Sequence, residues 1–351
     1  MMKWCNIVGL LLVMALAVAF HGCSVIDEDL SDCGDELRLD YDMHLVTNLN
    51  IELETQLDPK DDATLFKNLR DYLSAIFVDF AHDVDISLYD VQGDSARLHH
   101  EKIIMDANQM FCTLYVPRRD YMHTAVANLE KNGVTVLESD DYCHKAVLRQ
   151  SQGETIQPHK TGLFTARELI NMIEEGNQII TVRLFMANCA AALVLDTSAA
   201  SLKDLKVLST GFASRFNVAD SSYVFAANPQ KILTDKIETG KSNQQCFCTV
   251  NFPSRLADDT SADTRTVIVT TQPFDSKQAK KALWQFLVYA TLPDGTVVES
   301  ALSVKIPLHA GEFKIIRGEV QPDGAVMCED ASVGISVTLN WKEGNEHEIP
   351  L

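Results

Sequence analysis

Strict alternation of apolar and polar residues is the dominant pattern along this chain. In the segment Glu36–Leu45 the apolar positions are Leu37, Leu39, Tyr41, Met43 and Leu45. A period of two residues is typical of a β-strand that buries one of its faces. Similar segments predict further strands at Val84–Tyr89, Gln109–Val116, Val134–Leu137, Ile179–Met186, Ala192–Leu195, Lys203–Leu208, Phe247–Phe252, Thr266–Thr271, Leu283–Leu292 and Val297–Ile306.

The clearest alternation lies near the end of the chain. Its apolar positions are Val333, Ile335, Val337, Leu339 and Trp341, and the positions between them are polar or glycine. This pattern predicts one more strand, for which two roles are open. It either completes a sheet of its own domain, or it is the strand through which this protein joins another subunit.

Two segments show helical periodicity instead. Apolar residues recur every three or four positions in Ala63–Leu73 and in Thr165–Glu175, so each segment predicts a short helix. Many short strands separated by turns, with few helices, favour β-sandwiches over alternating strands and helices. The Pro293-Asp294-Gly295 turn predicts a hairpin between the two strands that flank it.

The first residues have the features of a secretory signal. Lys3 supplies a positive charge, and residues 7–20 form an apolar run that is too short to span a bilayer. Gly22-Cys23 follows, and a small residue before cysteine is what a lipoprotein signal peptidase requires once the thiol carries diacylglycerol. Cleavage by ordinary signal peptidase after Ala19 is the alternative, and it would leave Cys23 as a plain thiol. The lipidated form is favoured, with Cys23 as the mature N-terminus.

The length of 351 residues predicts two domains, and the polar stretch Ser151–Gly162 is the expected connection between them. We predict a signal peptide at residues 1–22, a lipidated acidic tether at 23–35, an N-terminal sandwich at 36–160 and a C-terminal sandwich at 161–351. The first core is expected to contain Leu39, Tyr41, Val84, Ile86 and Leu114. The second is expected to contain Val182, Leu184, Ile268, Phe286 and Val304.

Composition narrows the function. The chain has 30 Lys and Arg against 49 Asp and Glu, and its formal net charge of −19 argues against a nucleic-acid partner. The motifs GxSxG, HExxH, GxxxxGK and GxGxxG are absent, which argues against the corresponding hydrolases, kinases and dinucleotide enzymes. We therefore expect no catalytic residues, no enzyme activity and no cofactor beyond the covalent lipid.

One group of residues has metal-ligand chemistry. His82, Asp83 and Asp85 could meet His99 and His100 across a hairpin and offer nitrogen and oxygen ligands. Such clusters are more often solvated polar loops, so no metal site is assigned from the sequence.

The cysteines give a weaker signal. Seven remain after Cys23, an odd number, so at least one thiol is expected to be free. Cys246 and Cys248 should lie on one face of a strand and are poor candidates for pairing with each other. Buried thiols are the commoner explanation for such a pair.

The segment from Cys23 to Cys33, with the sequence CSVIDEDLSDC, resembles the FimB-type fimbrillin-associated anchor lipoproteins, the anchoring subunits of Bacteroidales surface pili. In that family a lipidated N-terminal cysteine precedes an acidic Glu-Asp-Leu-Ser element and a second cysteine. Looser matches span nearly the whole mature chain, at Glu36–Leu45, Ser87–Gly93, Tyr121–Asn128, Gly162–Phe164 and the last strand ending at Trp341.

The resemblance implies two transthyretin-like β-sandwiches in tandem and no catalysis. It implies a pilus base that binds fimbrillin or pilin subunits, holds the fibre to the outer membrane by diacylglycerol and an acyl chain (palmitate) on Cys23, and limits fibre length. It assigns a surface-export signal to Asp27, Glu28 and Asp29. In this view Val333–Trp341 is the candidate joining strand.

Two other functions compete with the pilus anchor. A glycan-binding surface lipoprotein needs exposed aromatic residues, yet Trp284 and Trp341 both lie in strand patterns that favour burial. A lipid-anchored hydrolase needs a cleft with coupled carboxylates, which sequence alone does not identify.

Overall fold

The computed structural model describes residues 36–46, 62–77, 81–105, 111–130, 132–172, 177–255 and 283–328, together with the backbone of residues 333–338. The structural findings below concern these residues. The predicted strand Thr266–Thr271 and the predicted core residue Ile268 lie outside them.

The described chain contains one α-helix and 22 strands, and every predicted strand that falls on described residues is present. The first half of the chain contains β1 (Glu36–Val46), α1 (Ala63–Ile76), β2 (Asp83–Asp90), β3 (Arg97–Ile104), β4 (Phe111–Pro117), β5 (Tyr121–Ala127), β6 (Thr135–Glu138), β7 (Val147–Gln150), β8 (Thr155–Ile156), β9 (Phe164–Ile170) and β10 (Gln178–Met186). The second half contains β11 (Cys189–Asp196), β12 (Asp204–Thr210), β13 (Arg215–Asn217), β14 (Ser222–Val224), β15 (Lys231–Leu233), β16 (Asp235–Ile237), β17 (Gln244–Asn251), β18 (Trp284–Thr291), β19 (Val297–Val304), β20 (Phe313–Val320), β21 (Val326–Met327) and β22 (Val333–Thr338).

These strands form four sheets. A seven-stranded sheet has the order β3-β2-β5-β9-β10-β1-β4, and a five-stranded sheet has the order β16-β17-β11-β20-β21. A six-stranded sheet has the order β22-β19-β18-β12-β15-β8, and a small sheet has the order β14-β13-β7-β6. The mainly-β sandwich class predicted from the sequence is confirmed, as is the hairpin between β18 and β19.

The first hydrophobic core lies under one face of the seven-stranded sheet. The alternation in β1 buries Leu37, Leu39, Tyr41 and Met43, as predicted. Helix α1 adds Leu65, Leu69, Leu73 and Ile76, which recur every three or four residues and so share one side of the helix. Val84, Ile86 and Leu114 join the same cluster.

The five-stranded sheet lies between two cores. In β11, Ala190, Ala192 and Val194 belong to the first core, whereas Cys189, Ala191, Leu193 and Leu195 belong to the second. Strand β11 is therefore buried on both faces, and its run of small residues suits a strand packed from both sides. The six-stranded sheet closes the second core with Trp284, Phe286 and Val304.

Two predictions are wrong. The segment predicted as a helix at Thr165–Glu175 contains β9, because its backbone pairs with β5 from Tyr121↔Ile170 to Ala127↔Phe164. Val182 and Leu184, predicted for the second core, belong to the first, because β10 pairs in parallel with β1. Phe286 and Val304 lie in the second core as predicted.

The stretch Ser151–Gly162, expected to connect two domains, begins with four exposed residues and is partly buried from Ile156 onward. Within it β8 pairs in parallel with β15, and the His159 side chain is fully buried. Nδ1 of His159 accepts a hydrogen bond from the Asn188 amide, and Nε2 donates one to Thr135 Oγ1 over 2.9 Å. The division at residues 160 and 161 remains a prediction, but strands from both sides of it share sheets.

Candidate functional site

Most of the predicted site residues lie outside the described residues. These are Cys23, Asp27, Glu28, Asp29, Leu339 and Trp341. For Val333, Ile335 and Val337 the structure gives the backbone, which forms β22. Lipidation and the export signal therefore remain predictions.

Strand β22 is both the last described strand of the chain and the outermost strand of its sheet. It pairs with β19 in antiparallel register, which places Val333, Ile335 and Val337 opposite Val304, Leu302 and Ser300. Within the described part of the chain, β19 is the only strand that pairs with β22. A strand at the edge of a sheet can leave or join without breaking any interior pairing.

The side of β19 that faces the second core is buried. Val298, Leu302 and Val304 are almost fully buried, and Ser300 Oγ accepts a hydrogen bond from the Val326 backbone N–H over 3.1 Å. Trp284 of the neighbouring strand is also buried and donates from Nε1 to the Ile306 carbonyl over 3.0 Å. Trp284 therefore cannot serve as a sugar-stacking platform, in agreement with its predicted place in the core.

The seven-stranded sheet has another open edge, at β4. Its inward residues Leu114 and Val116 are buried, while Phe111 and Tyr115 are each 59% exposed on the opposite face. In the described ranges β4 pairs only with β1. The sequence predicts this strand but not which of its faces is exposed, because apolar side chains occupy both.

The residues considered for metal binding separate into different environments. Asp83 turns into the protein, where its Oδ2 accepts hydrogen bonds from the backbone N–H groups of Leu129 and Glu130 over 3.0 and 3.1 Å. His99 faces Glu101 at 3.4 Å. Asp85 and His100 do meet across the β2–β3 hairpin, with Oδ1 and Nε2 2.9 Å apart.

A residue that the sequence analysis missed completes this pair. One ligand atom each from Asp85, His100 and Asp140 lies within 4.8 Å of the others. Burial raises the pKa of the Asp85 carboxyl; the His100 ring opposes that rise and the Asp140 carboxylate adds to it. No spacing rule could have found Asp140, because it comes from a loop that only the tertiary fold brings to this hairpin.

The cysteines behave as the pattern predicts. Cys246 and Cys248 are fully buried on the same face of β17, in the first core, and neither forms a disulfide. Burial is the main cause that raises the pKa of the Cys246 thiol to about 12, so the thiol stays protonated at neutral pH. These thiols act as core residues.

No helix within the described ranges is long and apolar enough to cross a membrane. No protein-family model matches the chain, and no curated protein sequence matches it either.

Solved structures resemble the fold. A candidate adhesin from Bacteroides ovatus matches with a TM-score of 0.51 and 11% identity over 87% of this chain and 97% of its own. A candidate adhesin from Bacteroides thetaiotaomicron matches with a TM-score of 0.51 and 8% identity over 86% and 97%. The fimbrial anchor protein Mfa2 from Porphyromonas gingivalis matches with a TM-score of 0.48 and 9% identity over 86% and 97%. The first two matches establish similarity of fold across nearly the whole length of both adhesins.

Proposed function

We propose that this protein is the anchoring subunit of a cell-surface pilus. In this proposal a lipid on Cys23 holds the protein to the outer membrane, and Asp27, Glu28 and Asp29 direct it to the cell surface. A pilin subunit joins by strand addition, and the anchor limits the length of the fibre. This role requires no catalytic step.

Three observations support the proposal. The CSVIDEDLSDC segment resembles the anchor lipoproteins, and the fold is similar to that of two candidate adhesins from Bacteroides. The observation that carries the joining step is the position of β22, the last described strand, at the edge of the six-stranded sheet. Backbone groups along such an edge can bind a further strand.

The lipid anchor is tested by replacing Cys23 with alanine. We expect the Cys23→Ala variant to be folded but released from the outer membrane, with pili recovered in the medium. Cys328→Ser is the matched control, because Cys328 is a half-buried thiol in the folded chain and should leave pili on the cell. Pili retained on cells that carry Cys23→Ala would contradict anchoring by lipid.

The joining strand is tested by a double variant, Val337→Asp with Leu339→Asp. If β22 joins the pilin, the variant should stay folded and lipidated at the outer membrane while pili are shed. If β22 only completes its own sheet, the variant should unfold, since unpaired buried charges are not tolerated. Ser336→Asp, at a polar position of the same alternation, is the control. This variant should stay folded and should keep its pili attached.

The open edge of β4 offers a rival joining site, and a third variant separates the two edges. Phe111→Asp with Tyr115→Asp changes two exposed side chains, so the protein should fold normally. We expect pili to remain attached in this variant. Shedding here, but not in the β22 variant, would assign the joining step to β4.

A further inference from the structure

One cluster of polar side chains lies outside the anchoring machinery. It joins the β2–β3 hairpin to the loop that follows β6 and contains Asp85, His100 and Asp140. Only 12% of the Asp85 side chain and 25% of the Asp140 side chain are exposed, and 36% of the His100 side chain is. One edge of the cluster is therefore open to solvent while the carboxylates are largely shielded.

The two segments that supply the cluster are fixed by backbone contacts. The Arg97 N–H donates to the Asp141 carbonyl over 2.8 Å, and the Cys143 N–H donates to the Ser95 carbonyl over 3.0 Å. Ala96 and Tyr142 form an isolated β-bridge between the same segments. Asp140 is therefore held over β3 before any ligand binds, which lowers the entropic cost of binding one.

Negative charge is in excess around the cluster. Asp140 and Asp141 share the single guanidinium of Arg97, and Lys102 pairs with Glu130 at 3.1 Å. With Asp85, four carboxylates face two cations, which leaves two negative charges when the His100 ring is neutral. A divalent cation would balance that excess.

We propose that Asp85, His100 and Asp140 form a binding site for a Zn²⁺ ion. One imidazole nitrogen and two carboxylate oxygens suit Zn²⁺, whereas Ca²⁺ and Mg²⁺ prefer oxygen ligands alone. Tetrahedral ligands at about 2.0–2.1 Å from zinc lie about 3.3 Å from one another, so ligand atoms within 4.8 Å need only small side-chain shifts. The Nε2 proton of His100 would leave or move to Nδ1, and water would fill the fourth position.

Zinc at this point would cross-link the loop after β6 to the β2–β3 hairpin. This goes beyond the proposed anchoring role, because none of the three residues belongs to the tether or to β22. Binding to the folded state alone should raise the thermal midpoint as the free Zn²⁺ concentration increases.

The test is zinc binding by the purified protein, measured by calorimetry and by metal analysis after dialysis. We expect one equivalent of Zn²⁺ in the unmodified protein, and at least a tenfold loss of affinity in His100→Ala and in Asp140→Asn. His44→Ala is the matched control, because His44 is an exposed histidine paired with the single carboxylate of Asp42 at 3.2 Å. It should bind zinc like the unmodified protein.

Co²⁺ provides a second readout with the same variants. Intense visible absorption in the unmodified protein, lost in His100→Ala and Asp140→Asn but kept in His44→Ala, would support a tetrahedral site with these ligands. If His100→Ala does not fold, Asp140→Asn carries the comparison, since Asp140 lies in a loop. Equal zinc uptake by unmodified protein and Asp140→Asn, or loss of uptake in His44→Ala, would overturn the proposal.

Discussion

Two buried histidines contribute to the loss of stability of this protein in acid. His123 and His159 are fully buried, and burial lowers the pKa of each to about 3. In the unfolded chain both rings bind a proton below about pH 6.5. The unfolded state therefore binds more protons than the folded state between pH 6.5 and 3, and the free energy of unfolding falls as the pH falls through this window.

This difference in proton binding makes the stability of the protein depend on pH. Between pH 7 and pH 5, each histidine should lower the free energy of unfolding by about 2 kcal/mol. Urea denaturation at both pH values measures the loss, and His159→Gln should remove about half of the histidine contribution. His309→Gln, at an exposed histidine, should leave the pH dependence unchanged. An unchanged slope in His159→Gln would show that its ring does not stay neutral in the folded protein.

A second residue-scale prediction concerns Asp62. Its Oδ1 accepts a hydrogen bond from Lys241 Nζ at 2.9 Å and its Oδ2 one from Arg317 Nη2 at 2.8 Å, tying the start of α1 to β20 and to the loop before β17. Burial alone would raise the pKa of Asp62, but these two bonds hold it below its ordinary value. Asp62→Asn should therefore cost about 1–3 kcal/mol at pH 7 in urea denaturation.

The control for Asp62 lies within α1, the helix that begins directly after it. Asp71 is 3.9 Å from Arg70, and both side chains are more than half exposed. An exposed ion pair of this kind contributes little, so Asp71→Asn should not change the denaturation midpoint measurably. Equal effects of the two substitutions would mean that the Asp62 contacts do not matter for stability.

At the scale of elements, Gly211 shows how closely two strands approach. Its φ is +98°, and an added Cβ would lie 2.6 Å from Trp284 Cα and 2.8 Å from the Leu283 carbonyl oxygen. Both contacts are with backbone, so neither can move aside. Gly211→Ala should cost at least about 2 kcal/mol in thermal or urea unfolding.

A substitution at Gly295 separates the two causes of this lost stability, which are the positive φ and the steric contact of the added Cβ. Gly295 has a φ of +88° in the β18–β19 turn, but no atom lies within 4 Å of an added Cβ. Gly295→Ala therefore reports backbone strain alone, about 1 kcal/mol. If both variants lose the same stability, the contact with Trp284 is not the cause.

The alternation of apolar and polar residues predicted some of the strands but not all of them. Alternation identified β1, β10, β18 and β19 because each buries one face or lies within a core. It missed β3, whose residues Arg97–Ile104 are mostly polar or exposed at a sheet edge. It mistook β9 for a helix because Leu169, Ile170 and Ile173 fit a helical spacing. Leu169 is exposed and Ile170 is buried, and Ile173 lies outside the described residues. Partner strands decide such segments, and the pairing with β5 is not visible in local sequence.

The candidate site was predictable to different degrees. The position of β22 as a strand follows from its clean alternation, but its place at the sheet edge depends on the pairing with β19. The pairing of Asp85 with His100 follows from the hairpin. Asp140 could not be predicted, because its position depends on a loop held to Ser95 and Arg97 through the backbone.

Across the whole molecule, the two hydrophobic cores share the five-stranded sheet, so we expect both cores to unfold together. Leu193 and Val194 are neighbours in β11, yet the first packs in the second core and the second in the first core. Leu193→Ala should cost about 2–5 kcal/mol and Val194→Ala somewhat less. Hydrogen exchange should show that either substitution speeds exchange in both β1, on the N-terminal side of the predicted boundary, and β18, on its C-terminal side. Faster exchange confined to one of these strands would indicate two independent domains, as the predicted boundary at residues 160 and 161 implies.

The parallel pairing of β11 with β20 also means that, during synthesis, β11 is made well before its partner strand. Ala192 meets Ile315, more than 100 residues later in the sequence. A ribosome adding about 5–20 residues per second needs about 6–25 s to make the intervening segment. Throughout that time the apolar residues of β11 lack at least one of their two neighbouring strands, β17 and β20, and Leu193 and its neighbours are exposed to aggregation. Productive folding therefore requires that strand to stay covered until its partner has been made.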